Sequence, residues 1–179
     1  MLERRQILDG LARVAELLAA RGVQGELCLL GGTAMVLAFN ARASTKDVDA
    51  VFEPASIVRE IASEVEREHD LPEGWLNDAA KGFLSERHDV IEGDLPQFAG
   101  LRITAPTAEY LFAMKCMASR IGLAATDPSD VHDLRFLIAH MKLHTVDEAL
   151  DIVARYYPAE RVPARAAYLL EELFAEERA

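Results

Sequence analysis

Two carboxylates, Asp47 and Asp49, flank a single valine, and Asp47 lies 15 residues after Gly32 of a Gly31-Gly32 pair. On a strand, alternation points Asp47 and Asp49 to one face, separated by one pleat repeat of roughly 6.5–7 Å. Carboxylates at that spacing repel unless positive charge lies between them. Mg²⁺ (or Mn²⁺) with nucleotide phosphates meets that need, because Mg²⁺ takes a few carboxylates together with phosphate oxygens. A Gly-Gly turn between a strand and a helix lets backbone amides approach a triphosphate without a Cβ in the way. The plainer alternative is an exposed strand face carrying two solvated acids.

Around this nucleus stand further candidates. Arg42 and Lys46 are the local positive charges, and Ser44 and Thr45 beside them either contact phosphate or shape the turn. Downstream, Lys115 sits in the apolar stretch Met114-Lys115-Cys116. It is read either as a cation for triphosphate charge or as a lysine paired with an acid or reaching the surface. Arg120 offers the same chemistry, or caps its helix near Gly122. Asp130 and Asp133 share a helix face at i, i+3 and can pair with Lys115 and Arg120. Asp127, before Pro128, reads as a helix cap. Trp75 is expected as a core anchor, with base stacking as its alternative. Five histidines show no metal-ligand spacing with cysteine, which argues against zinc. Cys28 and Cys116, both in apolar company, are expected as buried reduced thiols.

Those residues need elements to hold them. Leu2 to Arg21 repeats apolar positions at helical spacing and stops at Gly22. Leu27–Leu30 is a continuous apolar run, expected as a strand buried on both faces. Thr33–Ala38 resumes as an apolar helix, and Asp47–Phe52 alternates at the strand period. Ala55 to His69 suits a surface helix, while Leu71 to Gly100 is mostly irregular, with possible strands near Phe83-Leu84 and Val90-Ile91. Leu101–Thr104 is a strand, and from Thr107 the chain is helical almost to its end. The expectation is an α+β fold: a small mixed sheet of about four strands with helices on one side in residues 1–106, and a helical C-terminal region in 107–179.

Composition bounds the function. At 51% hydrophobic and 27% charged residues the chain can fill a core. No apolar run approaches the roughly 20 residues of a membrane span, and the start lacks a signal-peptide core; a cytoplasmic protein is expected. Nineteen Lys plus Arg against 30 Asp plus Glu give a formal charge of −11. That balance argues against stable DNA binding or a membrane-surface role, while leaving room for a local basic site or a basic protein partner. Leu169, Leu170, Leu173 and Phe174 form an apolar stripe in the last helix, available to a partner if exposed.

The segment LLGGTAMVLAFNARASTKDVDAVF resembles the signature of the DNA polymerase β-like nucleotidyltransferase superfamily, a Gly-Gly or Gly-Ser turn followed by D-x-D. The ordered series GGTA, TKDVD, PEGWLND and EYLFAMKCMASR, with a D-x-x-D beyond it, is most similar to the AbiEii-type and DUF6036-type minimal nucleotidyltransferases. The likeness spans roughly residues 27 to 138. It implies that Gly31, Gly32 and Thr33 bind phosphate; Ser44, Lys46 and Arg120 are further nucleotide-contact candidates by their own position and charge. It also implies that Asp47 and Asp49 ligate metal, and that Lys115 and Asp130 take part in catalysis. Members of the superfamily usually add a third carboxylate on a later strand. Leu101–Thr104 carries Arg102 and no acid; Asp89, Glu92 and Asp94 lie nearby, with Asp94 the favoured metal ligand, or the third acid is absent.

The implied activity is Mg²⁺-dependent transfer of a nucleoside monophosphate from an NTP to an RNA acceptor, such as a tRNA 3′ end, or to a protein hydroxyl. The resemblance further suggests the toxin side of a toxin–antitoxin or phage-defence pair, with an antitoxin or other protein as partner. Two rivals stand beside it. One is a degenerate transferase fold that binds nucleotide or a partner protein without turnover; the other is a helical adaptor that binds no nucleotide.

Overall fold

The computed structural model describes residues 1–119 and 126–176. Among them the fold is α+β, with seven helices, a five-stranded mixed sheet and a small two-stranded sheet. The chain divides into two compact units. One comprises Met1–Gly82 and Val90–Pro106; the other takes Phe83–Asp89 and the chain from Thr107 onward.

In the first unit, β1 (Leu2–Glu3) pairs antiparallel with β3 (Ser44–Thr45), and α1 (Arg4–Ala20) follows β1 directly. The expected helix thus begins two residues later, because Leu2 is buried as a strand residue opposite Thr45. Ile7, Leu11, Val14 and Leu18 form the fully buried stripe of α1, the i, i+4, i+7, i+11 spacing of one helix face. Gly22, at φ +67°, turns the chain out of it. The large sheet runs β5-β4-β2-β7-β6, with β2 (Gly25–Leu29), β4 (Val48–Glu53), β5 (Leu76–Asn77), β6 (Val90–Ile91) and β7 (Leu101–Pro106). Strand β2 is antiparallel to β4 and parallel to β7; β5 is parallel to β4, and β6 is antiparallel to β7.

Register explains which side chains are covered. Leu27 pairs with Phe52 on one side and Ile103 on the other, and all three are buried. Leu29, Val48, Ala50, Leu101 and Ala105 share their parity and burial. The alternate positions are open: Glu26, Glu53 and Arg102 are exposed, and Cys28, Asp49, Val51 and Thr104 are half-buried. The reading of β2 as a strand buried on both faces therefore gives way to a strand buried on one. α3 (Ala55–Glu68) presents Val58, Ile61, Ala62 and Val65 to the buried side and packs with α1 and β4. Trp75 is 1% exposed and donates its indole N–H to the Ala62 carbonyl at 3.0 Å. It is the core anchor expected of it, and no face of its ring is offered to a base.

In the second unit, α4 (Ala108–Ala118) is buried around almost its whole circumference from Tyr110 to Met117, the mark of a central helix. Thr107 caps it by accepting the Tyr110 N–H. α5 (Pro128–Met141) and α6 (Val146–Tyr156) pack on α4, and α7 (Ala164–Glu176) packs on α6. Asp127 accepts the Ser129 N–H at 2.9 Å and so caps α5. The stripe Leu169, Leu170, Leu173 and Phe174 is buried. Segment Phe83–Asp89 is tied to these helices: the Tyr110 hydroxyl accepts the Ser85 N–H at 3.0 Å, and the Tyr156 hydroxyl donates to Asp89 at 2.8 Å. Among the described residues no helix is long and apolar enough to cross a membrane.

Candidate functional site

The Gly-Gly pair does not precede its helix; it forms the first turn. α2 spans Gly31–Leu37, and Gly31 takes φ +51°, a left-handed value that costs a non-glycine residue roughly 1–2 kcal/mol. The turn is closed against β4, where the Leu30 N–H donates to the Asp49 carbonyl at 2.8 Å. A Cβ on Gly31 would lie 2.9 Å from Asp49 Oδ2, and one on Gly32 would lie 2.5 Å from Thr45 Oγ1 and 3.0 Å from an Arg42 guanidinium nitrogen. Both glycines are thus required by close approach. Gly31 admits a carboxylate to the backbone, and Gly32 admits a hydroxyl and a cation.

Asp49 lies on β4 and Asp47 one residue before its first position, with fully buried Val48 between them. The strand parity directs both acids to the open side of the sheet, where each is half-buried. Thr33, itself buried, donates its hydroxyl to the Asp47 carbonyl at 3.0 Å and so fixes the start of β4 to α2. The Val48 N–H donates to the Trp75 carbonyl at 2.6 Å, which begins the pairing of β4 with β5. That pairing aligns Asn77 with Asp49, and the Asn77 amide donates to Asp47 Oδ2 at 3.1 Å.

The remaining sequence candidates fall as follows. Ser44 lies on β3 paired with Glu3, and its neighbour Thr45 is buried against Gly32, so this pair shapes the turn. Lys46 is exposed and Arg42 half-buried. Asp94 is exposed in the turn after β6. The sheet order sets β2 and β7 between β4 and β6, so β6, which leads into the turn of Asp94, is three strand spacings, roughly 14 Å, from the strand of Asp49, and among the described residues no third acid joins Asp47 and Asp49 in a metal-holding group. The structure does not bring Asp94 to the pair. Glu92 is ion-paired with Arg102, and Asp78, next to Asn77, is held below the ordinary carboxylate range by Lys81 and Arg59.

In the helical unit, Lys115 Nζ lies 2.9 Å from Asp130 Oδ1 and 2.7 Å from Asp133 Oδ2. The lysine side chain is 7% exposed, Asp133 fully buried and Asp130 half exposed. This triad accounts for a charge in the apolar run of α4, since a buried ammonium needs its partners. Arg120 lies outside the described residues. Asn77 was the contact that sequence reading missed as a site residue. The PEGWLND segment held it in view, but only the parallel β4–β5 register reveals which neighbour it faces. Neither cysteine is an activated nucleophile: burial pushes the Cys28 and Cys116 thiols up.

The donor set has definite chemistry. Among the described residues no group of three or more His, Cys, Asp or Glu is arranged to hold a metal ion. Two carboxylates on an open face, with Arg42 at the adjoining turn, are too few for an all-protein cage. A cation held by this pair would need waters or phosphate oxygens to complete its shell, which is the habit of Mg²⁺. Comparison with protein-family models, curated proteins and solved structures finds no match to this chain.

Proposed function

We propose that the Gly31–Asp49 region is a Mg²⁺–nucleoside triphosphate site, and that the protein transfers a nucleoside monophosphate from an NTP to an RNA or protein hydroxyl. The observation that carries this reading is the approach of Asp49 to a left-handed glycine at the head of α2, with Asp47 at the same open side of the sheet. It is supported by the resemblance of the GGTA and D-x-D segments to the polymerase β-like nucleotidyltransferases. Asp47 and Asp49 would hold the cation, which supplies charge neutralisation at the α-phosphate during in-line displacement. Arg42 and Lys46 add positive charge for the phosphates. Lys115 and Asp130 enter this reading through the resemblance alone; their ion pair is a sufficient structural role. The acidic balance of the chain favours a protein acceptor or a basic partner over RNA.

A second reading has its own observation. The strands flanking the pair of β2 and β4 are β5 and β7; beside Asp49 and Val51 on the open side they offer Asn77 and Thr104, and no carboxylate to serve as general base. This favours a module that binds Mg²⁺–nucleotide without turnover. Isothermal titration of each NTP with Mg²⁺ into native protein and into Asp47→Ala/Asp49→Ala tests what both readings share. Heat of binding in the native protein and none in the variant is expected. Equal heats, or none in either, would set the nucleotide site aside.

A further inference from the structure

Asn77 uses its whole side chain. Its Oδ1 accepts the Ala79 N–H at 3.0 Å, while Nδ2 lies 3.1 Å from Asp47 Oδ2 and 3.5 Å from the Gly74 carbonyl. The Ala79 contact decides the amide's orientation, because only the oxygen can accept from a backbone N–H. The NH₂ group is therefore the end that meets the Asp47 carboxylate.

The local turn alone does not explain this residue. Asp or Ser at position 77 would also accept the Ala79 N–H in a side-chain-closed turn. An aspartate would set a second acid against Asp47, and a serine hydroxyl is too short to span from the Ala79 amide to Asp47. Among these turn formers, asparagine alone closes the turn and donates to the carboxylate. The β4–β5 register, aligning Asn77 with Asp49, fixes the donor from a strand rather than from a loop.

We propose that Asn77 is a positioning residue for the metal site. By donating to Asp47 Oδ2 it fixes the orientation of a carboxylate that would hold the cation. This inference rests on the Mg²⁺–nucleotide reading given above. Outer partners of metal-ligating side chains fix orientation and commonly govern 10–100-fold in metal affinity.

The test is electron paramagnetic resonance titration of Mn²⁺ in the presence of tripolyphosphate, a probe that carries no base. It is run on the native protein, Asp49→Ala, Asn77→Ala and Asn77→Ser. Asn77→Ser keeps an acceptor for Ala79 but loses the donor to Asp47, so it separates the turn from the carboxylate; melting temperatures establish that the variants are folded. The inference expects Mn²⁺ binding in the native protein, loss in Asp49→Ala, and binding weakened about tenfold or more in both Asn77 variants. Native-like binding by a folded Asn77→Ser, with binding still lost in Asp49→Ala, would overturn the role of Asn77 and leave the metal site standing. No Mn²⁺ binding by the native protein, or binding unaffected by Asp49→Ala, would overturn both.

Discussion

Gly31 and Asp49 are in contact across the junction of α2 and β4: the space for a Cβ on Gly31 is closed by Asp49 Oδ2 at 2.9 Å. An alanine there meets two penalties. One is the left-handed backbone at φ +51°; the other is the carboxylate, which must move. Gly31→Ala is expected to lower stability by roughly 1–2 kcal/mol from the backbone cost alone. It should also abolish Mn²⁺–tripolyphosphate binding by displacing Asp49. Urea denaturation and the resonance titration measure the two effects separately. Native-like binding in a destabilised Gly31→Ala would mean that Asp49 is not held at the site by this contact.

The Lys115 triad is a stability element on its own evidence. Lys115→Met removes the ammonium that lies 2.7 Å from the fully buried Asp133. Breaking one partner of a buried pair costs about 3–5 kcal/mol. Asp130 is half exposed, so Asp130→Asn should cost no more than about 1 kcal/mol. Chemical denaturation of both variants checks the asymmetry. Equal small losses would show that the buried pair is not the anchor of α4 and α5.

Trp75 is the only tryptophan, and it reports on the core of the first unit. At 1% exposure, with its N–H bonded to Ala62, it should emit as a buried indole and resist iodide quenching. Nucleotide addition should leave that emission unchanged, because no base can stack on the ring. Strong quenching by NTP in the folded protein would contradict its place in the core.

Glu148 makes α6 sensitive to acid. Its carboxylate accepts the His144 N–H at 2.7 Å and the Thr145 N–H at 3.3 Å, and these bonds hold it below its ordinary value of 4.5. A carboxylate with a depressed folded pKa stabilises above the unfolded value, and the benefit is lost as pH falls through the folded value. Melting temperature should therefore fall more steeply below about pH 4.5 in the native protein than in Glu148→Gln. Parallel curves would remove Glu148 from the acid response. Thr145→Ala, which removes the other half of the capping box, should cost about 1 kcal/mol at neutral pH.

Much of this was legible in the sequence where periodicity and burial agree. The stripe of α1, the alternation of β4, the cap at Asp127 and the helical run from Thr107 are all local patterns with one physical solution. What failed was non-local. Leu2-Glu3 looks like a first helical turn until Ser44-Thr45 is known to lie beside it. Leu27–Leu30 looks buried on both faces because Cys28 is apolar, yet register sets it on the open side with Asp49 and Thr104. The candidate site divides the same way. Spacing placed Asp47 and Asp49 on one face, but Asn77 could be found only through a parallel pairing of residues 28 positions apart, and the strand leading to Asp94 could be set apart from the pair only through sheet order.

The most direct measurement is transfer of label from each α-phosphate-labelled NTP, with Mg²⁺ or Mn²⁺, bulk tRNA and cell extract. Native protein is compared with Asp47→Ala/Asp49→Ala. Nucleotidyl transfer predicts a labelled tRNA or protein band that disappears in the variant. A native protein that binds Mg²⁺–NTP yet labels nothing would contradict the transferase and leave the site a binding module.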